Sequence, residues 1–354
     1  MWFNQCPNVG DLLLQHRPRL SSNLAATAAQ TGIGFGFATS NATRTAYPFV
    51  ADLIAEHAGL LVDGSGLLFD NVHPGASTWS FSATDDLYAW TGSSGLTPVH
   101  AGHLVWDQRL PAWLTAITNP TTLRSAMEAH IAGVIGHFGS RPLIWNVTNE
   151  VIAPTHGNPG GLRSSHWYSN LGAGYVKQAF DAAAAAVPPG SKLVYNHDSL
   201  DVASSTVFDA VYAHVTSLLD AGARIDGIGS QMHVNSADVC SGAEAAARLN
   251  AFGALGLDVY VTEFDVRDKA FAAGDRAQQC ADLALDLLGP ICRDVTNLRH
   301  VICWDASDLT SWLNTWSSAA RTDGLRPSFG NPFDRNGAPN PLAEALADAL
   351  RAHP

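Results

Sequence analysis

Glu150 and Glu263 are the side chains best placed to do chemistry in this sequence of 354 residues. Each closes a short apolar, β-rich run and stands in a polar cluster, Asn149-Glu150 in one case and Glu263-Phe264-Asp265 in the other. A pair of carboxyls can break an acetal bond, one protonating the leaving oxygen while the other faces the anomeric carbon. When the two lie about 5–5.5 Å apart, direct attack gives a covalent glycosyl-enzyme and the anomeric configuration is retained. Alone, Asn149-Glu150 reads as an ordinary polar strand end. Its pairing with a second glutamate three βα units later changes that reading. Ser and Cys nucleophiles and zinc-ligand spacings are missing from the comparable positions, so neither metal nor organic cofactor is expected.

The elements that would bring the two glutamates together are legible in the hydrophobic pattern. Short apolar runs at 33–38, 59–62, 98–106, 143–147, 192–195, 226–234, 258–266 and 300–304 alternate with helical stretches such as 121–138, 173–186, 204–221, 243–255 and 276–288. Asn119-Pro120 and Asn340-Pro341 are good helix starts, and Gly222 and Gly256 good stops. Strands buried on both faces read as continuous apolar runs, and parallel strands need crossover helices. Eight such units predict an α/β fold, a single-domain (β/α)8 TIM barrel over residues 31–354, with residues 1–30 as an N-terminal extension packing on it. An open doubly wound sheet would carry a glycine-rich phosphate loop after an early strand, and Phe35-Gly36-Phe37-Ala38-Thr39-Ser40 lacks that spacing. In a barrel, chemistry collects at the C-terminal strand ends. Those ends carry Trp106-Asp107, Asn149-Glu150, Asn196-His197-Asp198, Gln231-Met232-His233, Glu263-Phe264-Asp265 and Trp304-Asp305. Strands four and seven face each other across the mouth.

Composition narrows the partner. Hydrophobic residues at 46% and charged residues at 15% allow a large core, and a formal charge of −12 argues against nucleic acid and anionic membranes. No stretch approaches the length of a membrane helix. Ten tryptophans offer flat faces for the C–H faces of sugars, though most are expected in the core. Met1-Trp2-Phe3-Asn4-Gln5 lacks the basic start and apolar run of a signal peptide, which suits an intracellular chain or a mature form without its leader. The five cysteines, Cys6, Cys240, Cys280, Cys292 and Cys303, allow at most two internal disulfides.

Several segments resemble family 10 glycoside hydrolases, the endo-β-1,4-xylanases. Trp145-Asn146-Val147-Thr148-Asn149-Glu150 is similar to the family's acid/base motif Trp-Asp-Val-Val-Asn-Glu. Val261-Thr262-Glu263-Phe264-Asp265-Val266 is similar to its nucleophile motif Ile-Thr-Glu-Leu-Asp-Val. Ile225 to His233, Leu162 to Trp167, Lys192 to Asn196, Leu104 to Trp106, Leu110 to Trp113, and Trp304 with Asp308 and Trp312 also match in order, from about Ala25 to Leu346. The resemblance implies a carbohydrate substrate, secretion, Glu150 as acid/base and Glu263 as nucleophile. Glu150 must then stay protonated near neutrality, helped by the charge of Glu263. Asn149 would donate to a substrate 2-hydroxyl, and His233 with Asp265 would orient the nucleophile. Gln231, Trp304, Trp106, Trp312, Asn196, Asp107 and His103 complete the expected substrate contacts.

Two departures bear on the substrate. Where the family has Glu-Asn-x-x-Lys-Trp to hold sugars on the non-reducing side, this chain has Gly64-Ser65 and Leu68-Phe69. In strand three the family's first His falls on Gly102, with His103 one place later, and Asp107 replaces the second His. A one-residue shift turns a side chain to the opposite face of a strand unless a bulge corrects it. The sequence therefore supports a retaining endo-xylanase-like hydrolase. It leaves open the same mechanism on another glycoside, exo action included, and a non-catalytic sugar-binding descendant.

Overall fold

The computed structural model describes residues 20–272, 274–316, 323–325 and 327–354. All eight apolar runs form strands: β1 Gly34–Thr39, β2 Leu60–Asp63, β3 Thr97–Pro98, β4 Ala101–Val105, β5 Ile144–Asn149, β6 Lys192–His197, β7 Gly227–Ser230, β8 His233–Asn235, β9 Asp258–Arg267 and β10 Leu298–Cys303. The order is β3-β2-β1-β10-β9-β7-β6-β5-β4, with β8 added beside β9, and every pairing is parallel. β3 and β4 are two pieces of one run, so the two ends of that order meet and the sheet closes into the expected barrel.

Two expected strands are broken. His100 at φ +51 separates β3 from β4, and Met232 at φ +58 separates β7 from β8. Single left-handed residues interrupt pairing without altering an apolar run, so hydrophobic periodicity does not register them.

Ala38, Val62, Val99, Ile144, Val194, Tyr260 and Ile302, one from each of seven barrel positions, pack inside the barrel. Alternate residues such as Phe37, Leu61, Trp145, Leu193 and Val261 pack in the larger core against the helices. Each such side chain contributes about 1.5–3 kcal/mol by leaving water, which makes the barrel a rigid mount for its rim.

Helix boundaries follow local chemistry. Asn119 Oδ1 accepts the Thr122 N–H at 3.0 Å to start the helix Pro120–Phe138, and Asn340 Oδ1 accepts the Leu342 N–H at 3.0 Å to start Pro341–Arg351. Gly222 and Gly256 follow the helices Thr206–Asp220 and Gly242–Ala254 with φ of +79 and +84. The helix expected to stop at 288 runs on through Pro290 to Asp294, carried by the buried face Leu287, Leu288, Ile291 and Cys292.

The helix Leu24–Gln30 buries Leu24 and Ala28 and lies beside the C-terminal helix, to which Ser21 Oγ donates at Glu344 Oε2 (2.8 Å). Residues 1–19 of the expected extension, Cys6 among them, lie outside the described residues. Cys240, Cys280, Cys292 and Cys303 are all buried, and no disulfide joins any two of them. Among the described residues no helix is long and apolar enough to cross a membrane.

Candidate active site

The C-terminal strand ends surround a cleft of about 390 Å³ whose wall includes Glu150, Glu263, Asn149, Gln231 and His233. Three amides link the two glutamates. Asn196 Nδ2 donates to Glu263 Oε1 (2.8 Å) and to Asn149 Oδ1 (2.9 Å). Gln231 Nε2 donates to Asn149 Oδ1 (3.1 Å) and Glu150 Oε1 (2.9 Å), and Asn149 Nδ2 reaches Glu150 Oε1 at 3.3 Å. Thr262 Oγ1 fixes the orientation of the Asn196 amide by donating to its Oδ1 at 2.8 Å. Glycine is required at 229 because a Cβ there would lie 2.2 Å from Asn196 Oδ1. Four strand ends thus hold one hydrogen-bonded unit, and charge-assisted bonds within it are the strong kind.

The two carboxyls are driven in opposite directions. Glu150 sits just past β5 at φ +51, a setting that costs a non-glycine residue about 1–3 kcal/mol and marks functional positions. Burial raises its pKa, and the nearby Asp198 carboxylate raises it further, against the Gln231 hydrogen bond and the Arg163 cation. Arg163 Nη2 lies 3.6 Å from Glu150 Oε2, and its Nε donates to the Glu150 carbonyl at 2.5 Å. The rise was expected, but its leading sources are burial and Asp198 rather than the charge of Glu263.

Burial also works against ionisation of Glu263, yet its surroundings outweigh burial and its pKa is lowered. His233 Nε2 lies 3.2 Å from Glu263 Oε2, and His103 Nε2 lies 3.7 Å from Oε1. Burial opposes charge on His233 as well, but Asp265 and Glu263 hold its pKa up at about 10, so it is a cation at neutral pH. His233 Nδ1 is 3.0 Å from Asp265 Oδ2, which also accepts the Trp312 indole N–H at 2.5 Å. One cleft therefore holds a carboxyl biased towards its neutral form beside one biased towards its charged form, the division of labour that acid and nucleophile need.

The expected contacts divide into wall and support. Gln231, Trp304, Trp106, Trp312 and His103 line the cleft with the two glutamates. His103 arrives there because the β4–β5 register shifts between Gly102 and Val105, which supplies the correction that a one-residue offset demands. Asn196 and Asp265 lie behind the wall and act on Glu263 directly and through His233, rather than on substrate. Asp107 is also off the wall. It is half-buried, burial raises its pKa, and Arg163 is the main charge opposing that. Gln108 and Arg109 take its expected place on the wall, and Arg109 Nε binds Asp70 Oδ2 at 2.8 Å, tying the loops after β2 and β4 together.

Asp198, Arg163, Leu68 and Trp316 are site residues that the candidate set omitted. For Asp198 the signal was available, since it closes a strand-end cluster already singled out. Arg163 lay inside a segment that matched the family but had no assigned role. Trp316, 51% exposed, packs edge-on to Trp312 at 5.8 Å and has no pattern to announce it. Among the described residues, no three His, Cys, Asp or Glu side chains are grouped to hold a metal ion.

Comparison with known proteins agrees with this geometry. Endo-1,4-beta-xylanase 5 of Pyricularia oryzae is 30% identical over 337 residues, 94% of this chain and 78% of that protein. Endo-1,4-beta-xylanase 2 of Claviceps purpurea is 31% identical over 79% of this chain and 80% of its own. Among solved structures, xylanase 10B of Thermotoga petrophila RKU-1 in complex with xylobiose superposes with a TM-score of 0.83 at 25% identity, covering 94% of this chain and 98% of the other. The family model for glycosyl hydrolase family 10 matches residues 23–349, a span that holds both glutamates and every residue of the amide network, and the chain belongs to that family.

Proposed function

We propose that this chain hydrolyses internal β-1,4 bonds of xylan with retention of configuration, Glu150 serving as acid/base and Glu263 as nucleophile. The observation that carries the reading is the amide network that joins the two carboxyls at the mouth of the barrel, with the Glu150 pKa raised and the Glu263 pKa lowered by their surroundings. In the first step Glu263 attacks the anomeric carbon while Glu150 gives its proton to the leaving oxygen. In the second, Glu150 takes a proton from the incoming water, which displaces Glu263 from the anomeric carbon. Asn149 Nδ2 is the donor for the 2-hydroxyl, a bond that strengthens as positive charge builds on the ring. Trp304 and Trp312 form the aromatic wall for the sugar at the cleavage point, and Trp106 serves the neighbouring one. Because xylan is a polymer too large to enter a cell, the enzyme acts outside it.

Proton NMR of xylo-oligosaccharide hydrolysis tests the mechanism: the β-anomer appears first, and Glu263→Gln abolishes turnover while leaving the fold and sugar binding intact. First appearance of the α-anomer, or activity surviving in Glu263→Gln, overturns it. A second reading has the same mechanism on a different glycoside, and is favoured by Leu68 in the cleft wall where an ammonium would hold a sugar hydroxyl. Comparing kcat/KM on linear xylo-oligosaccharides with a panel of aryl glycosides separates the two.

A further inference from the structure

A second cavity, of about 160 Å³, shares Gly64, Trp304 and Trp312 with the catalytic cleft and opens beside it. Its remaining wall is made of Ala38, the hydroxyl residues Thr39 and Ser40 at the end of β1, Thr43, Ser65 and Thr310, and one carboxylate, Asp305. Among the described residues, neither lysine nor arginine belongs to that wall.

Two observations suggest that the cavity awaits a ligand. Thr39 is only 6% exposed, yet its Oγ1 has no partner among the described residues. Buried hydroxyls are normally satisfied, and each exception asks for an explanation. Asp305 is held at φ +144, where a side chain costs about 1–3 kcal/mol relative to the usual glycine. Its Oδ1 takes the Ala306 N–H (2.7 Å), the Ser307 N–H (3.3 Å) and the Thr310 hydroxyl (2.8 Å), and no hydrogen bond from the described residues reaches Oδ2.

Gly64 lies in the wall of both spaces. Its backbone does not demand glycine, because its φ is not in the left-handed region and a Cβ would meet Thr39 O at 3.6 Å, Ala38 Cβ at 3.8 Å and Trp304 Cζ2 at 3.8 Å, all ordinary contacts. A side chain therefore fits at 64, where it would occupy space at the wall that the two cavities share.

Building on the xylanase reading, we infer that this cavity binds a neutral single-sugar branch carried by the glycone, so that the enzyme accepts a substituted sugar beside Trp304. Thr39 Oγ1 and Asp305 Oδ2 supply the acceptors that a polyol's hydroxyls need, and Thr39 a donor as well. A uronic acid branch is disfavoured, since the described residues of the wall include no cation. Burial holds the Asp305 pKa up at about 6, so above that pH its charge repels a second carboxylate.

The test compares the intact enzyme on a linear xylo-oligosaccharide, on the same oligomer with one α-linked pentosyl branch, and on one with a uronic acid branch. Cleavage sites are read by mass spectrometry and kcat/KM by product release. The expected result is cleavage that leaves the pentosyl branch on the glycone product. The branched-to-linear ratio of kcat/KM should then fall at least tenfold both in Gly64→Gln, which fills space at the shared wall, and in Thr43→Phe, which fills the cavity from its other wall. Circular dichroism shows that each variant folds, and should both fail, the wild-type cleavage position decides alone. The inference is overturned if wild type always leaves the branch on the leaving-group side, if the ratio stays within twofold in the folded variants, or if the uronic acid branch is accepted equally well. Failure of the wild type on all three oligomers overturns the xylanase reading itself, and this inference with it.

Discussion

Replacing Arg163 with methionine should move the alkaline limb of the kcat/KM profile to higher pH. Arg163 Nη2 and Glu150 Oε2 are 3.6 Å apart, with side chains only 19% and 14% exposed. Unit charges at that distance attract by about 1 kcal/mol at the dielectric constant of water and by about 5 kcal/mol at an effective value near 20. The cation thus holds the Glu150 pKa down against the burial and the Asp198 charge that raise it. Productive encounters need Glu150 protonated, so activity is lost as pH rises through its pKa, and raising that pKa shifts the loss upward. The control is Arg163→Lys, which keeps the charge but lacks the Nε that donates to the Glu150 carbonyl. It should lower kcat through poorer positioning while leaving the alkaline limb within about half a unit of wild type. Both profiles are measured on a linear xylo-oligosaccharide, whose leaving oxygen needs the proton, by product release with substrate kept below KM. An alkaline limb that stays put or falls in Arg163→Met refutes the electrostatic account of Glu150.

Three further outcomes follow from the same geometry. His233→Gln removes the cation that helps keep the Glu263 pKa low, so the acid limb of the profile should rise towards neutrality, while the alkaline limb stays in place. Gly229→Ala puts a methyl 2.2 Å from Asn196 Oδ1 and should cost about 1–3 kcal/mol of stability, seen as a lowered Tm, together with a fall in kcat as the Asn196 bond to Glu263 is displaced. Glu150→Gln should lower kcat on xylo-oligosaccharides by about 10²–10⁴, and far less on aryl xylosides whose phenol leaves without a proton.

The barrel and the pair of glutamates at its mouth were legible because both depend on patterns that survive in one dimension. Continuous apolar runs give buried parallel strands, and a polar cluster at the end of such a run lies at the barrel's mouth. Glu150, Glu263, Gln231 and His233 were found in that way. The interruptions at His100 and Met232 were not, because a left-handed residue changes direction without changing hydrophobicity. Asn196 and Asp107 were expected against the substrate, and strand-end position alone could not separate a residue that faces the cleft from one lying behind it. Leu162 to Trp167 matched the family as a segment, but only the structure shows the Arg163 guanidinium against the acid.

The division between what this chain keeps and what it changes follows the division between strands and loops. The network that sets both protonation states is built from β5, β6, β9 and the junction of β7 with β8, whose side chains touch one another. A substitution in any of them, such as a methyl at Gly229, disturbs a neighbour in the network. The glycone side is built instead from the segments after β1, β2 and β10. Gly64, Ser65, Leu68 and Asp305 make none of the hydrogen bonds that join Glu150 to Glu263. Residues there are free to change without moving either carboxyl's pKa, and the departures from the family's strand-two motif fall in that part of the cleft. If that separation holds, Gly64→Gln should change the ranking of substrates while both limbs of the pH profile on a linear oligomer stay where they are. A shift of either limb would mean that the glycone loops and the catalytic network are electrostatically joined after all.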